Sequence, residues 1–284
     1  MKKEIQQKDE GPKWWSEPEV QQLYQQFDTD AKKAASPEEG EALLRRFFAQ
    51  GGLLDQKLRD WEVRDVSLEQ VLKVAFELYA FKFFVFTCFF LNEFSEELVL
   101  EWQRTNGAQS GAGEYTGPAA DVREAFDKAF GQCASVLDLE ELGARFLAPD
   151  GIISREFSKA RKADDKTQLA TGAALFRLKS YIEYTLFAAD FSAKSSAWTV
   201  PAVRKLVLDF ERALKFGETE EDFTALESRY QGDNGLVAVE WRKVQAQSPQ
   251  SVHEQELSRL NENIQSFLQQ ARSSHADEKS TTTV

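Results

Sequence analysis

Residues 93–102 read Glu93-Phe94-Ser95-Glu96-Glu97-Leu98-Val99-Leu100-Glu101-Trp102. An apolar stretch rich in phenylalanine precedes them, and a serine followed by two glutamates is typical of a helix N-cap with an acidic first turn. The serine hydroxyl accepts a hydrogen bond from a free backbone N–H, and the carboxylates stabilise the positive end of the helix dipole. The stretch therefore predicts that one helix ends and another begins at a short acidic turn, here called the acidic elbow (residues 95–98).

Helical patterns continue on both sides of the elbow. Ser67-Leu68-Glu69-Gln70 is a capping box that starts a helix running to about Phe90, and Ser36-Pro37-Glu38-Glu39 starts another that ends before Gly51-Gly52. Apolar residues at helical spacing predict further helices at about 18–27, 118–130, 137–147, 167–187, 201–216, 222–230 and 252–271. The spacing indicates neither an internal repeat nor a β-hairpin. The predicted fold class is all-α.

Charge and composition exclude several classes of protein. The 284 residues carry 35 Lys and Arg against 47 Asp and Glu, a formal net charge of -12, so the overall field opposes binding to nucleic acid. Cys88 and Cys133 lack the spacing of a zinc site or a disulfide framework. The longest apolar run, residues 83–91, is about half the length that spans a bilayer. We expect a cytoplasmic protein with no nucleic-acid partner, no cofactor, no metal and no transmembrane segment.

Catalytic side chains are scarce in the predicted core. Both histidines, His253 and His275, lie in the polar C-terminal stretch, which leaves no core imidazole for acid–base chemistry. A calcium loop with Gly151 at its sixth position would place Phe146 and Ala148 where oxygen ligands are required. We therefore predict no catalytic and no metal-binding residues, and a degenerate EF-hand-like helical protein remains one alternative.

Three parts of the chain resemble the regulator of G-protein signalling (RGS) domain family. The first is the run Ser67-Leu68-Glu69, then Phe86, Phe89 and Phe90, then the elbow with Trp102; residues 119–126 and residues 175–190 are similar to two later helices of the family. The resemblance implies an RGS-like helical bundle at residues 57–198. It leaves an N-terminal helical extension at 1–56, a C-terminal helical extension at 199–272 and a disordered tail at 273–284.

The resemblance also implies a function and a contact surface. Members of the family bind the switch segments of an activated Gα subunit and accelerate its GTP hydrolysis by stabilising those segments. Carried over residue by residue, the partner-binding surface consists of two parts, Ser95, Glu96, Glu97 and Leu98 in one and Leu186, Asp190, Phe191 and Lys194 in the other. Leu98 stands where the family has Asn, and Phe191 stands where it usually has Ser.

Two features at the ends of the chain add weaker expectations. The terminal Thr282-Thr283-Val284 has the spacing of a peptide that adds as a strand to a PDZ-type groove. The helix at 252–271 keeps a 3–4 apolar spacing for two heptads, which fits packing on the core as well as dimerisation. A helical scaffold that binds partners without accelerating hydrolysis is the second alternative to a GTPase activator. Localisation would be cytoplasmic, and peripheral at the membrane through a Gα partner.

Overall fold

The computed structural model describes residues 15–49, 51–106, 115, 117–217, 219–245 and 251–281. Throughout these residues the regular structure is helical and no strand is present, which confirms the all-α prediction. The helices are α1 (Pro18–Ala31), α2 (Pro37–Phe48), α3 (Leu53–Glu62), α4 (Leu68–Leu91), α5 (Glu96–Asn106), α6 (Pro118–Phe130), α7 (Val136–Leu147), α8 (Ile152–Ala160), α9 (Asp165–Ala197), α10 (Pro201–Lys215), α11 (Glu220–Gln231), α12 (Leu236–Gln245) and α13 (Val252–Thr281).

Internal contacts divide the chain into two compact units. Unit 1 comprises Met1–Trp61 with Val66–Ala193, and unit 2 comprises Glu62–Asp65 with Lys194–Val284. The boundary therefore falls within α9, whereas the sequence placed it at residue 198. Helix α13 continues to Thr281, ten residues past its predicted end. The functional division at residues 57, 199 and 273 stays a prediction.

A three-helix motif occurs three times along the chain. Repeat 1 is α1–α3, repeat 2 is α6–α8 and repeat 3 is α10–α12; a long helix, α4, α9 or α13, follows each. The second helix of the motif has 12 residues in all three copies. The expectation of no internal repeat was wrong. The signature residues are few, and unequal connecting segments place the motif at irregular intervals along the sequence.

The same capping box starts the second helix of each repeat. In every copy the hydroxyl of the cap residue accepts a hydrogen bond from the N–H of the residue three positions later. The carboxylate of that later residue in turn accepts from the N–H of the cap residue or of the residue before the cap. The hydroxyl bonds measure 3.3 Å at Ser36, 3.2 Å at Ser135 and 3.2 Å at Thr219. The returning carboxylates are those of Glu39, Asp138 and Asp222.

A glycine precedes the third helix of each repeat, because a side chain does not fit there. Each of these glycines donates its N–H to the carbonyl oxygen three residues earlier, at 2.8, 2.8 and 2.7 Å for Gly52, Gly151 and Gly235. A Cβ atom at these positions would lie 2.8, 2.9 and 2.6 Å from a backbone oxygen, closer than real Cβ atoms come. The tight turn between the second and third helices therefore requires glycine in all three copies.

An edge-to-face pair of aromatic rings forms the centre of each repeat. Ring-centroid distances and interplanar angles are nearly constant: Phe27–Phe47 at 5.2 Å and 86°, Phe126–Phe146 at 5.4 Å and 81°, and Phe210–Tyr230 at 5.1 Å and 77°. An arginine one residue before the second ring lies over that ring, at 5.1 Å for Arg46, 5.6 Å for Arg145 and 5.6 Å for Arg229. The recurring ring pair shows that the three copies share packing as well as helix order.

The capping box gives a direct test of the repeat. Ser135→Ala removes the hydroxyl that accepts from the Asp138 N–H, so we expect the free energy of unfolding to fall by about 1 kcal/mol. Urea unfolding of the full chain, followed by circular dichroism, measures this loss. Ser158→Ala, on the exposed surface of α8, is the control and should change stability by less than about 0.5 kcal/mol. Equal losses in both variants would contradict the capping role.

Helix α4 is the central helix of unit 1. Val74, Leu78 and Phe81 are fully buried, and α9 runs antiparallel beside α4. Contacts between the two helices show the direction, since Phe90 meets Phe176, Lys82 pairs with Glu183, and Tyr79 meets Phe187. Within the described residues α4 is also the one helix whose length and composition could cross a membrane, with a mean hydropathy of 1.8. A buried core helix has the same composition, so this feature alone does not indicate a membrane protein.

Candidate functional site

The acidic elbow has the local geometry that its sequence predicts. The Phe94 ring packs edge-to-face on Phe90 at 5.1 Å, which fixes the turn after α4. The Leu98 N–H donates to the Ser95 hydroxyl at 3.4 Å, so Ser95 caps α5. Ser95, Glu96 and Glu97 are exposed, and Leu98 is half-buried. The elbow therefore presents two carboxylates and a hydroxyl on the surface of unit 1.

An ion pair between surface side chains joins α5 to the start of α9. Lys166, in the first turn of α9, donates to the Glu101 carboxylate at 2.7 Å. The hydrogen bond from Lys166 is the main reason that the pKa of Glu101 is lowered from its ordinary value. Both side chains are largely exposed, so the pair contributes little to the stability of the fold.

Helix α5 lies outside the threefold pattern. After repeat 2, α9 ends at Ala197 and repeat 3 begins at Pro201, with no helix between them. After repeat 1, by contrast, α4 is followed by the elbow and α5 before repeat 2 begins at Pro118. The elbow and α5 are thus an addition to a repeated scaffold.

Residues predicted for the second half of the contact surface take part in internal contacts. Phe191 is 1% exposed, belongs to the core of unit 1 and stacks on Phe187 at 5.8 Å. Leu186 is half-buried against the core around Phe126, and Asp190 is half-buried. Lys194 forms an ion pair with Glu211 at 2.8 Å within unit 2. None of these four residues is in the exposed class, whereas three of the four elbow residues are.

The antiparallel course of α9 separates the two predicted halves. Gly172 lies against Phe90, five residues before the elbow, whereas Asp190 lies eighteen residues further along α9. At about 1.5 Å per residue, that separation along the helix is roughly 27 Å, and for Leu186 it is roughly 21 Å. The structure therefore does not bring Leu186 or Asp190 to the elbow. The partner-binding roles of all eight residues stay predictions.

A cavity of about 250 Å³ lies beside the elbow, and sequence patterns did not predict it. Its walls are mainly phenylalanine rings from three helices, those of Phe86, Phe89, Phe90, Phe157 and Phe176. The phenylalanine-rich run of α4 was visible in the sequence. No spacing rule, however, connected it with Gly172 of α9 or with the end of α8. The cavity depends on contacts that α9 makes with α4 and with α8, helices that are remote from one another in sequence.

Two kinds of reactive group were sought among the described side chains, a metal-binding cluster and a reactive thiol at Cys88. No group of three or more histidine, cysteine or acidic side chains is placed to hold a metal ion in the part of the chain that the structure describes. Burial raises the pKa of the Cys88 thiol to about 11, so this thiol is protonated at neutral pH and is a poor nucleophile. The elbow and the cavity are both suited to non-covalent recognition.

None of the protein-family models, the curated proteins or the solved structures compared with this chain matches it.

Proposed function

We propose that this protein is a non-catalytic helical interaction protein that binds its partner through the acidic elbow. The three repeats form the scaffold, and the elbow with α5 is the part that meets the partner. This proposal corresponds to the scaffold alternative rather than to a GTPase activator.

The position of α5 is the observation that carries the proposal. The repeated helices are explained by caps, glycine turns and ring pairs that recur three times, whereas the elbow serves no repeated structural purpose. It presents the exposed carboxylates of Glu96 and Glu97 on a turn that Phe94 and Ser95 hold in place. Binding residues are commonly located on connections that a rigid scaffold positions.

The partner that we propose is an activated Gα subunit, because the elbow is the part of the chain that resembles an RGS domain most closely. In that interaction the Glu96 and Glu97 carboxylates would accept hydrogen bonds from N–H groups of a switch segment. An RGS-like arrangement for residues 57–198 belongs to the same proposal and rests on the sequence resemblance.

The separation along α9 argues against acceleration of GTP hydrolysis. Acceleration requires the mobile switch segments to be held together in their transition-state arrangement. Leu186 and Asp190 are more than about 20 Å along α9 from the residue that meets Phe90, and Phe191 is buried. We therefore propose binding through the elbow alone.

Binding and hydrolysis can be measured separately. We expect the full chain to bind Gα loaded with GDP and aluminium fluoride more tightly than Gα with GDP, and Glu97→Lys to weaken that binding at least tenfold by charge repulsion at the elbow. Isothermal titration calorimetry measures both affinities. Single-turnover GTP hydrolysis should proceed at the same rate with and without the protein.

Glu124→Lys is the matched control, because it makes the same charge change at an exposed position on α6. It should bind Gα as the parent does. Absence of binding across several Gα classes would exclude Gα as the partner. Full binding by Glu97→Lys would exclude the elbow as the contact surface, and faster hydrolysis would show that the protein is an activator after all.

A further inference from the structure

We propose that the cavity beside the elbow binds a small zwitterionic α-amino acid with an apolar side chain. The proposal concerns a different site from the exposed face of Glu96 and Glu97, and it does not depend on the identity of the protein partner.

The walls of the cavity suit an apolar group of limited size. The ring centroid of Phe176 lies 4.6 Å from that of Phe157 and 5.3 Å from that of Phe90, so the aromatic wall is continuous. An apolar cavity of about 150 Å³ accepts benzene. A volume of about 250 Å³ therefore has room for a phenyl or branched aliphatic group together with a short polar head.

Polar residues of both charges line the same cavity. They are Glu93, two residues after α4, Arg161, the residue after α8, and the uncharged Gln168 in the first turn of α9. Glu93 and Arg161 are exposed, and in the described part of the chain they form an ion pair neither with each other nor with another side chain. A cation and an anion therefore border one apolar cavity without neutralising each other.

A zwitterion matches this arrangement better than a ligand of single charge. Its carboxylate would accept from the Arg161 guanidinium, its ammonium would donate to the Glu93 carboxylate, and its side chain would enter the ring-lined space. A simple fatty or aromatic acid would satisfy Arg161 but would bring a second carboxylate close to Glu93. An amine would meet the corresponding repulsion from Arg161.

Comparison of the repeats shows that the scaffold does not require this arginine. Arg161 follows α8, and the corresponding positions at the ends of α3 and α12 are Glu62 and Gln245. The cap hydroxyl, the turn glycine and the central ring pair recur in all three copies, but the cation does not. The repeated architecture therefore does not account for an arginine at position 161.

Calorimetric titration of the full chain with three probes tests the proposal. The probes are L-phenylalanine, 3-phenylpropanoate, which lacks the ammonium, and 2-phenylethylamine, which lacks the carboxylate. We expect L-phenylalanine to bind with a Kd of about 1 mM or tighter, and each of the other two to bind at least tenfold more weakly. Absence of phenylalanine binding, or equal affinity for 3-phenylpropanoate, would overturn the proposal.

Variants connect the binding to the cavity. Arg161→Gln should weaken phenylalanine binding at least tenfold, whereas Lys162→Gln, the adjacent exposed cation, should leave it unchanged. Leu44→Trp should abolish binding by filling the cavity, since Leu44 lines it. If Leu44→Trp does not fold, the comparison of Arg161→Gln with Lys162→Gln still tests whether the ligand binds in the cavity. Unchanged affinity in Arg161→Gln would place the ligand elsewhere. Failure of the Gα experiment would not alter any of these results.

Discussion

Replacing Glu256 with alanine is expected to lower the free energy of unfolding by about 3 kcal/mol. Glu256 is 7% exposed, and its carboxylate accepts from the Thr199 N–H at 2.8 Å, the Thr199 hydroxyl at 2.7 Å and the Val200 N–H at 3.1 Å. Helix α10 begins just after these residues, and its N-cap, Val200, has no side chain that could accept a hydrogen bond. Alanine would leave these donors without their acceptor, and hydrogen bonds to a charged group contribute about 1.5–3 kcal/mol each.

Urea unfolding followed by circular dichroism measures the loss. Glu256→Gln keeps the shape and one acceptor oxygen, so it should lose less than Glu256→Ala. Glu262→Ala, an exposed position on the same helix, is the matched control and should remain within about 0.5 kcal/mol of the parent. A Glu256→Ala protein that unfolds at the parent's urea concentration would show that water replaces the carboxylate at no cost.

In unit 1, too, a buried carboxylate accepts hydrogen bonds from residues just before the first helix of a repeat. Glu77 of α4 is 5% exposed and accepts from the Ser16 hydroxyl at 2.6 Å and from the Glu17 N–H at 3.0 Å. Helix α1 begins at Pro18, just as α10 begins at Pro201. In both cases a carboxylate from the long helix caps the first helix of the repeat, since neither N-cap residue makes a capping hydrogen bond with its own side chain.

Gly172→Ala is expected to lower the free energy of unfolding by about 1–2 kcal/mol, although alanine favours helices. A Cβ atom on Gly172 would collide with the ring of Phe90, two of whose atoms would lie 2.8 and 3.0 Å away and a third closer still. Overpacking of this kind costs about 1–3 kcal/mol, which outweighs the gain of up to about 1 kcal/mol in helix propensity. Movement of the Phe90 ring away from the new methyl group would disturb its contacts with Phe94 and Phe176.

Gly40→Ala is the matched control for this substitution. Gly40 is also inside a helix and also faces a phenylalanine of α4, but its Cβ would lie 3.5 Å from Phe89, an ordinary contact. We expect Gly40→Ala to be neutral or stabilising by up to about 1 kcal/mol. Thermal unfolding of the two variants beside the parent compares them directly. Equal stability of both variants would mean that Phe90 adapts freely.

Helix starts were the part of the fold that sequence patterns predicted best. Pro118–Phe130 was predicted with its observed bounds, and the capping boxes at Ser36 and Ser67 begin the helices expected of them. Capping depends on residues within one turn, so it can be recognised without knowledge of tertiary contacts. Helices α3, α8 and α12 were not predicted. They have 9 or 10 residues and follow a glycine, which normally signals the end of a helix rather than the approach of another.

The candidate site was predicted less completely because it depends on which helices are neighbours. The elbow is local, and Ser95 caps α5 as its sequence indicates. The expected closeness of Asp190 required a particular path for α9, which periodicity does not determine. The cavity likewise required Gly172 to meet Phe90 across 82 positions of sequence. The apolar spacing along α9 also did not predict that Phe191 is buried. A single apolar residue near the end of a long helix can lie either on a contact surface or in the core.

Comparison of the three repeats at equivalent positions shows which substitutions the motif tolerates. The same place in the ring pair is occupied by phenylalanine at 47 and 146 and by tyrosine at 230. The cap residue is serine in two copies and threonine in the third. The turn glycine, by contrast, is the same in every copy. Positions at which the copies agree therefore reveal what the architecture demands. At the position of Arg161 all three copies differ, and α5 has no counterpart in the other two, so these features are not demands of the shared architecture.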